Sequence, residues 1–387
     1  MSERERRIRP EFDVIPLARP ELGGREEELV LEVLRSGRLS LGPMLERFER
    51  ELAAWLGVED AVAVSSGTAA LHLGVRAQGW GQGDEVITTP LSFVASSNCL
   101  LYESATPVFC DVDAVTLNLD VDAARAAVGE RTAGLLPVDI FGYPAALGEL
   151  TALAAERGLG VLEDGCQALG AVDGEGVRVG ARGHACAFAF YANKQLTTGE
   201  GGALVPPSAE VARRVRSERN QGRAPDMGRI EHDRLGFNYR LTDLGAAIGV
   251  AQLEGADELL ARRGAVARLY RERLAGVEGL VLPCEDRGGE RRSWFVYVVQ
   301  LPEAVDRDAV IADLAGRGIA TKPYLPCIHL LRFYRERFGF AEGAFPVAER
   351  FARRALGLPF FAAMTEEQVD RVAGALTAAL GQPAASR

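Results

Sequence analysis

The stretch Ala185-Cys186-Ala187-Phe188-Ala189-Phe190-Tyr191-Ala192-Asn193-Lys194-Gln195-Leu196, continued by Thr197-Thr198-Gly199-Glu200-Gly201-Gly202-Ala203-Leu204-Val205, decides the fold. Its opening run is apolar without alternation, which predicts a strand covered on both faces, and a second short strand follows at residues 202–205. Between them stands a lysine followed by small and glycine-rich residues. A lysine held between buried strands is costly unless its ammonium snorkels to solvent or its amine is put to use. Desolvation lowers the amine's pKa and makes it a better nucleophile.

Working outward, the same grammar repeats. Short β-rich runs at residues 61–64, 85–88, 107–110, 133–138 and 160–162 alternate with helical stretches at 68–77, 93–102 and 147–157, after a helical pattern over 25–55 broken by the turn Ser40-Leu41-Gly42-Pro43. Strand–helix–strand alternation implies right-handed crossovers and an α/β fold with a mostly parallel central sheet covered by helices on both faces. The character changes after about residue 241. A long helical pattern runs over 241–274, interrupted near Gly255; strands follow at 294–301 and 319–324, and helices at 307–316, 346–356 and 366–380. The expected organisation is a large α/β domain over 1–250 and a smaller C-terminal α+β domain over 251–387.

Composition bounds the function. The chain has 387 residues, 48% hydrophobic and 25% charged, which is globular composition, and 44 basic against 54 acidic residues leave a formal charge of -10. That balance opposes nucleic acid and anionic membrane surfaces as partners. Six cysteines form no C-x-x-C pair and four histidines form no H-E-x-x-H, so neither a disulfide framework nor a metal site is expected. No apolar run approaches the roughly 18 residues of a membrane span, and the Arg- and Glu-rich start lacks a signal peptide, so a cytoplasmic protein is expected. The G-x-G-x-x-G of dinucleotide-binding folds and the G-x-x-x-x-G-K-[ST] of P-loop kinases are both missing.

Ligands of such sheets bind at the carboxyl ends of the strands, and four segments put suitable groups there. Ser65-Ser66-Gly67-Thr68 opens a helix, whose N-terminus suits a phosphate, although a plain helix cap explains the hydroxyls equally well. Val161-Leu162-Glu163-Asp164 ends a strand in two acids, Leu91-Ser92-Phe93 offers an aromatic face, and the fourth segment carries Lys194. An amine for a Schiff base, a carboxylate for a pyridinium proton and a phosphate-binding helix start together describe a site for pyridoxal 5'-phosphate (PLP).

On these residues the chain resembles the DegT/DnrJ/EryC1/StrS sugar aminotransferases, of PLP fold type I, from about residue 15 to 380. The most specific stretches are residues 65–71, 163–170, 194–202, 236–253 and 322–334. The resemblance implies that Lys194 links to the cofactor and serves as base, that Asp164 pairs with the ring nitrogen, and that Gln167 contacts the ring's phenolic oxygen. Phe93 would stack on the ring, while Ser66, Gly67 and Thr68 would hold the phosphate. Asn238 would reach that phosphate from the second subunit of a homodimer with shared active sites. The family often has a serine where this chain has Ala189, which removes one phosphate contact. A lysine at 194 separates the chain from the family's sugar dehydratases, which carry a histidine there.

The run Lys322-Pro323-Tyr324-Leu325-Pro326-Cys327-Ile328-His329 looks like the corresponding segment of GDP-perosamine synthases and related C4 sugar aminotransferases, which makes Tyr324 and His329 candidate substrate contacts, although a lone histidine beside prolines is equally a surface or packing residue. The guanidinium of Arg240 suits a nucleotide diphosphate or a donor carboxylate, and equally an exposed ion pair. The expected reaction moves an amino group from L-glutamate to a nucleotide-linked 4-keto-6-deoxy sugar, giving the 4-amino sugar and 2-oxoglutarate. Amination at C3 of a sugar, or of a keto-cyclitol, is the nearest alternative. A PLP-binding sensor is the non-enzymatic one, for which no DNA-binding extension or basic patch is found.

Overall fold

A computed structural model of the chain describes residues 14–224 and 231–382. Seven strands, β1 (Val62–Val64), β2 (Glu85–Thr88), β3 (Thr106–Phe109), β4 (Thr132–Leu136), β5 (Gly160–Asp164), β6 (Ala185–Ala189) and β7 (Gly202–Val205), form one sheet in the order β1-β7-β6-β5-β4-β2-β3. The neighbours from β6 through β5, β4 and β2 to β3 are parallel, whereas β7 is antiparallel to both β1 and β6. The exception has a local cause. β6 and β7 are joined by residues 190–201 without a crossover helix, and so short a connection can only return the chain antiparallel.

The unbroken apolar runs are explained by what each face meets. Ala61, Ala63, Cys186, Phe188, Ala203 and Val205 belong to a core shared with the Pro43–Leu56 and Asp243–Glu254 helices. The intervening Val62, Val64, Ala185, Ala187 and Leu204 belong to the opposite core, under the Gly67–Gln78 helix. A strand with two buried faces has no position for a polar residue until it ends. The two helices of the first core are tied by Asp243, whose carboxylate accepts from the backbone N–H groups of Gly42 (3.0 Å) and Leu45 (3.2 Å) at the start of the Pro43–Leu56 helix.

A second, antiparallel sheet has the order β8 (Tyr297–Gln300), β10 (Ala355–Leu358), β9 (Lys322–Pro323). Here the sequence reading needs correction. Residues 346–356 read as one helix, but the helix is Pro346–Arg354 and the next four residues form the central strand. Ala-Leu-Gly-Leu carries no β-branched side chain, and only pairing on both edges makes it a strand. The helical pattern over 241–274 is two helices, Asp243–Glu254 and Ala256–Leu274, meeting at Gly255. The short helices Val121–Ala127 and Ala209–Glu218 escaped the periodicity, although Asp120 and Ser208 cap them by accepting from Ala123 N–H (2.7 Å) and Val211 N–H (3.3 Å). The core of the second sheet takes in Ile15, which bridges to Ile319, together with Val266 and Tyr270 of the Ala256–Leu274 helix. No helix among the described residues is long and apolar enough to cross a membrane.

β1, β2, β4, β5 and β6 all run the same way. Their carboxyl ends therefore bring Ser65–Thr68, Thr89–Phe93, Asp139, Asp164 and the 190–201 connection to a single edge of the sheet.

Candidate active site

The edge is built around the start of the Gly67–Gln78 helix. Ser66 caps it, its hydroxyl accepting from the N–H of Ala69 (3.1 Å). That leaves the N–H groups of Gly67 and Thr68 with no acceptor among the described residues, aimed with the positive end of the helix dipole into the edge. Gly67 is required by packing rather than by an unusual backbone angle: a Cβ there would lie 2.6 Å from Cβ of Ala189 and 3.1 Å from Sγ of Cys166. Ala189 thus stands directly against the helix start, the place where a serine hydroxyl would join the two amides.

Asp164 ends β5, buried, with both carboxylate oxygens fixed. Oδ2 accepts from the Ser96 hydroxyl (2.6 Å) and Oδ1 from the N–H of Cys166 (3.1 Å). Gln167 lies one turn on, also buried. Its side-chain oxygen accepts from the N–H of Phe141 (3.1 Å), so its amide N–H groups remain available, and its backbone carbonyl accepts from the side chain of Gln195 (2.5 Å). Gln195 follows Lys194 directly, so the lysine loop is pinned to the acid's segment from the far side.

Lys194 sits in the 190–201 connection, closed at its base by N–H donation from Thr198 to the Phe190 carbonyl (2.9 Å) and by that of Lys194 itself to Tyr191 (2.9 Å). Its Nζ lies 4.2 Å from the centre of the Phe295 ring and has no carboxylate partner within ion-pair distance among the described residues. Burial pushes the ammonium pKa below its ordinary value, an effect only partly offset by the nearby Cys166 thiol and Asp164 carboxylate. Phe295 is held in turn by Arg263, whose guanidinium donates to the carbonyls of Trp294 (2.7 Å) and Phe295 (2.7 Å); its burial lowers its own pKa to about 10.

A desolvated amine, a fixed carboxylate, a free amide and an open helix start gather here at one edge of the sheet. Over residues 20–377 the chain matches the DegT/DnrJ/EryC1/StrS aminotransferase family. The chain belongs to that family. It is 37% identical over 365 residues to the GDP-perosamine synthase of Caulobacter vibrioides, covering 94% of this chain and 97% of that one. Among solved structures it superposes on DesI, crystallised in the presence of its TDP-sugar product, with a TM-score of 0.85 and 33% identity over 94% of this chain and 92% of that one. The PLP-form of Spr1654 from Streptococcus pneumoniae gives a TM-score of 0.89 and 25% identity over 95% and 98%. The fold is therefore that of the PLP-dependent aminotransferases, and this DegT/DnrJ/EryC1/StrS chain is an aminotransferase.

In this aminotransferase the other residues singled out from sequence fall into three groups. Phe93 stands at the cleft, 59% exposed despite its size. Asn238 is exposed and makes no side-chain hydrogen bond among the described residues, while the neighbouring Arg240 donates to the side chain of Asn220 (3.0 Å); their segment lies along the outer edge of β1 through Val64 and Arg240. Tyr324 is buried against Phe141 in the core that also holds Phe351 and Phe295. His329 departs from the sequence expectation of a substrate contact. It is fully buried between Phe340 and Phe345, with Nε2 3.0 Å from a carboxylate oxygen of Glu349, so no ligand at the cleft can touch it without the segment refolding.

Sequence reasoning overlooked Ser96, Gln195, Phe295 and Arg263. For Ser96 a signal existed, since Ser92 and Ser96 are four residues apart and flank Phe93 at the carboxyl end of a strand. Phe295 and Arg263 carry none, because they meet Lys194 only through tertiary packing.

Proposed function

We propose that this aminotransferase works with PLP and moves the amino group of L-glutamate to a nucleotide-linked 4-keto-6-deoxy sugar, yielding the 4-amino sugar and 2-oxoglutarate. The observation that carries the reading is the convergence of Lys194 and Asp164, both desolvated, on a cleft where the helix start at Gly67 has unpaired N–H groups. The residues fit the cofactor. The amides of Gly67 and Thr68 suit its phosphate, the free amide N–H of Gln167 its phenolic oxygen, the Asp164 carboxylate its ring N–H, and the exposed Phe93 ring its face. When bound, PLP supplies an electron sink and carries the amino group between the two half-reactions. The chain's own work is positional and protic. The lowered pKa of Lys194 favours the free amine, the form able to take the donor's Cα proton, and the Phe295 ring beneath it keeps the amine from solvent.

The C4 assignment rests on the resemblance of residues 322–334 to C4 sugar aminotransferases, with Tyr324 and Arg240 as the side chains proposed to line the sugar and diphosphate parts of the pocket. The names of relatives support a nucleotide sugar without agreeing on the nucleotide, since one carries GDP and another TDP. A homodimer with shared sites is part of the proposal. Phe93, Tyr191 and Leu235 are large apolar side chains left 59%, 50% and 69% exposed, and the Asn238 side chain has no hydrogen-bond partner among the described residues.

The deciding experiment gives the PLP-loaded enzyme L-glutamate and measures 2-oxoglutarate. The aminated enzyme is then offered 4-keto-6-deoxy sugars linked to GDP, UDP or dTDP, a 3-keto nucleotide sugar and a keto-cyclitol. Turnover confined to a 4-keto sugar is expected; preference for either of the others would overturn the C4 reading. Sharing is tested by mixing Lys194→Ala with Asn238→Ala chains, where recovery of activity is expected and its complete absence argues for separate sites.

A further inference from the structure

Asp164 is oriented by more than its own strand. Ser96 donates to Oδ2 at 2.6 Å, and because that proton is committed, the 2.7 Å contact between Ser92 and Ser96 must be donation from Ser92 to Ser96. All three side chains are buried, so water does not compete for these bonds. The order Ser92 to Ser96 to Asp164 is a short chain of hydroxyls in which each donation strengthens the next. With Oδ1 held by the N–H of Cys166, the carboxylate plane is fixed from two sides while lone pairs remain for one more donor.

The same turn carries Phe93. The N–H of Ser96 donates to the carbonyl of Phe93 (3.1 Å), so the aromatic wall and the hydroxyl holding the acid belong to one rigid piece of backbone. We infer that Ser96, backed by Ser92, is a positioning residue: it keeps the Asp164 carboxylate aimed at where the ring nitrogen of PLP would lie, in register with Phe93 on the ring face. This rests on the PLP reading given above. The physical effect is one of orientation. A carboxylate held on both oxygens keeps one plane and presents its remaining lone pairs in a fixed direction. Without Ser96, Oδ2 loses its donor and the carboxylate is free to rotate.

The test uses cofactor affinity rather than turnover. Apoprotein, wild type and Ser96→Ala, is titrated with PLP and with 1-deaza-PLP, in which a carbon replaces the ring nitrogen. Loss of one hydrogen bond to a buried charge is expected to weaken PLP binding about tenfold in the variant. The deaza compound offers Asp164 no N–H, so both proteins should bind it equally, and Ser96→Thr should restore PLP affinity. Should Ser96→Ala fold poorly, Ser92→Ala removes only the outer hydroxyl and is expected to show the same selectivity on a smaller scale, about threefold. Equal weakening toward both compounds, or none toward PLP, would overturn the inference. A wild-type protein with no affinity for PLP would instead refute the cofactor reading, a distinct result.

Discussion

Two buried acid–base pairs in this chain, Asp164 with Lys194 and Glu349 with His329, look alike in sequence and differ in what they leave unsatisfied. Glu349 accepts from His329 and from the N–H groups of Gly343 (2.8 Å) and Phe345 (3.1 Å), and closes a turn that no ligand enters. Burial pushes its carboxyl pKa up, but these donors more than offset that and bring it below its ordinary value. For His329, burial outweighs the pull of Glu349 and lowers the ring's pKa below its ordinary value. At the other pair the capacity is open: Lys194 has no carboxylate bonded to it, Asp164 keeps lone pairs free, and two backbone N–H groups stand idle beside them. The carboxylate of Glu349 is spent on the fold, with Nδ1 of His329 left buried and without a partner among the described residues; the amine and acid at the carboxyl ends of the strands keep capacity for a ligand.

The contrast can be broken most forcefully at the amine. Lys194→Ala should lower amino transfer from glutamate by at least about 10³-fold while the apoprotein's resistance to urea stays unchanged or rises, because an uncompensated buried amine is removed. Rate assays and urea unfolding on the same preparation check both halves. Glu349→Ala should do the reverse, costing about 2–4 kcal/mol of stability by leaving three donors, the His329 ring among them, without their acceptor, with kcat at permissive temperature within about twofold of wild type. A large loss of kcat in the folded variant would erase the distinction between the pairs.

Gly67→Ala forces a methyl against Ala189 and Cys166 and should weaken PLP binding about tenfold through displacement of the helix start, measured by titration of the apoprotein. The smallest effect is a slope. The pKa of His329 is lowered in the folded state, so below about pH 6.5 the unfolded chain binds more protons and stability falls as the medium is acidified. Asp111 and Glu349 face the ring and moderate the shift without reversing it. His329→Asn should flatten the stability curve between about pH 5 and 6.5 relative to wild type, and an unchanged slope would mean that the ring is protonated in place.

Much of the cleft was legible in the residues themselves. Ser65–Thr68, Asp164 and Lys194 each follow a run of apolar residues, and a strand buried on both faces can place a polar group only where it ends. Local periodicity therefore marks both the strand and the position of its chemistry. The lysine loop, the glycine at 67 and the acid at 164 were identifiable for that reason. For the histidine at 329 the residues left a substrate contact and a packing role equally open, because proline and aromatic neighbours say nothing about which face of a segment is covered.

The sequence by itself determined that an α/β sheet would gather an amine, an acid and a helix start at one edge, because burial on two faces writes a pattern that short windows of residues preserve. Only the tertiary structure decided that Ser96 holds Asp164, that Phe295 lies under Lys194 on carbonyls fixed by Arg263, and that residues 355–358 are a strand between two others. Those outcomes depend on partners far away in the chain, and a hydrogen bond or ring contact between distant segments leaves no periodic trace in either one.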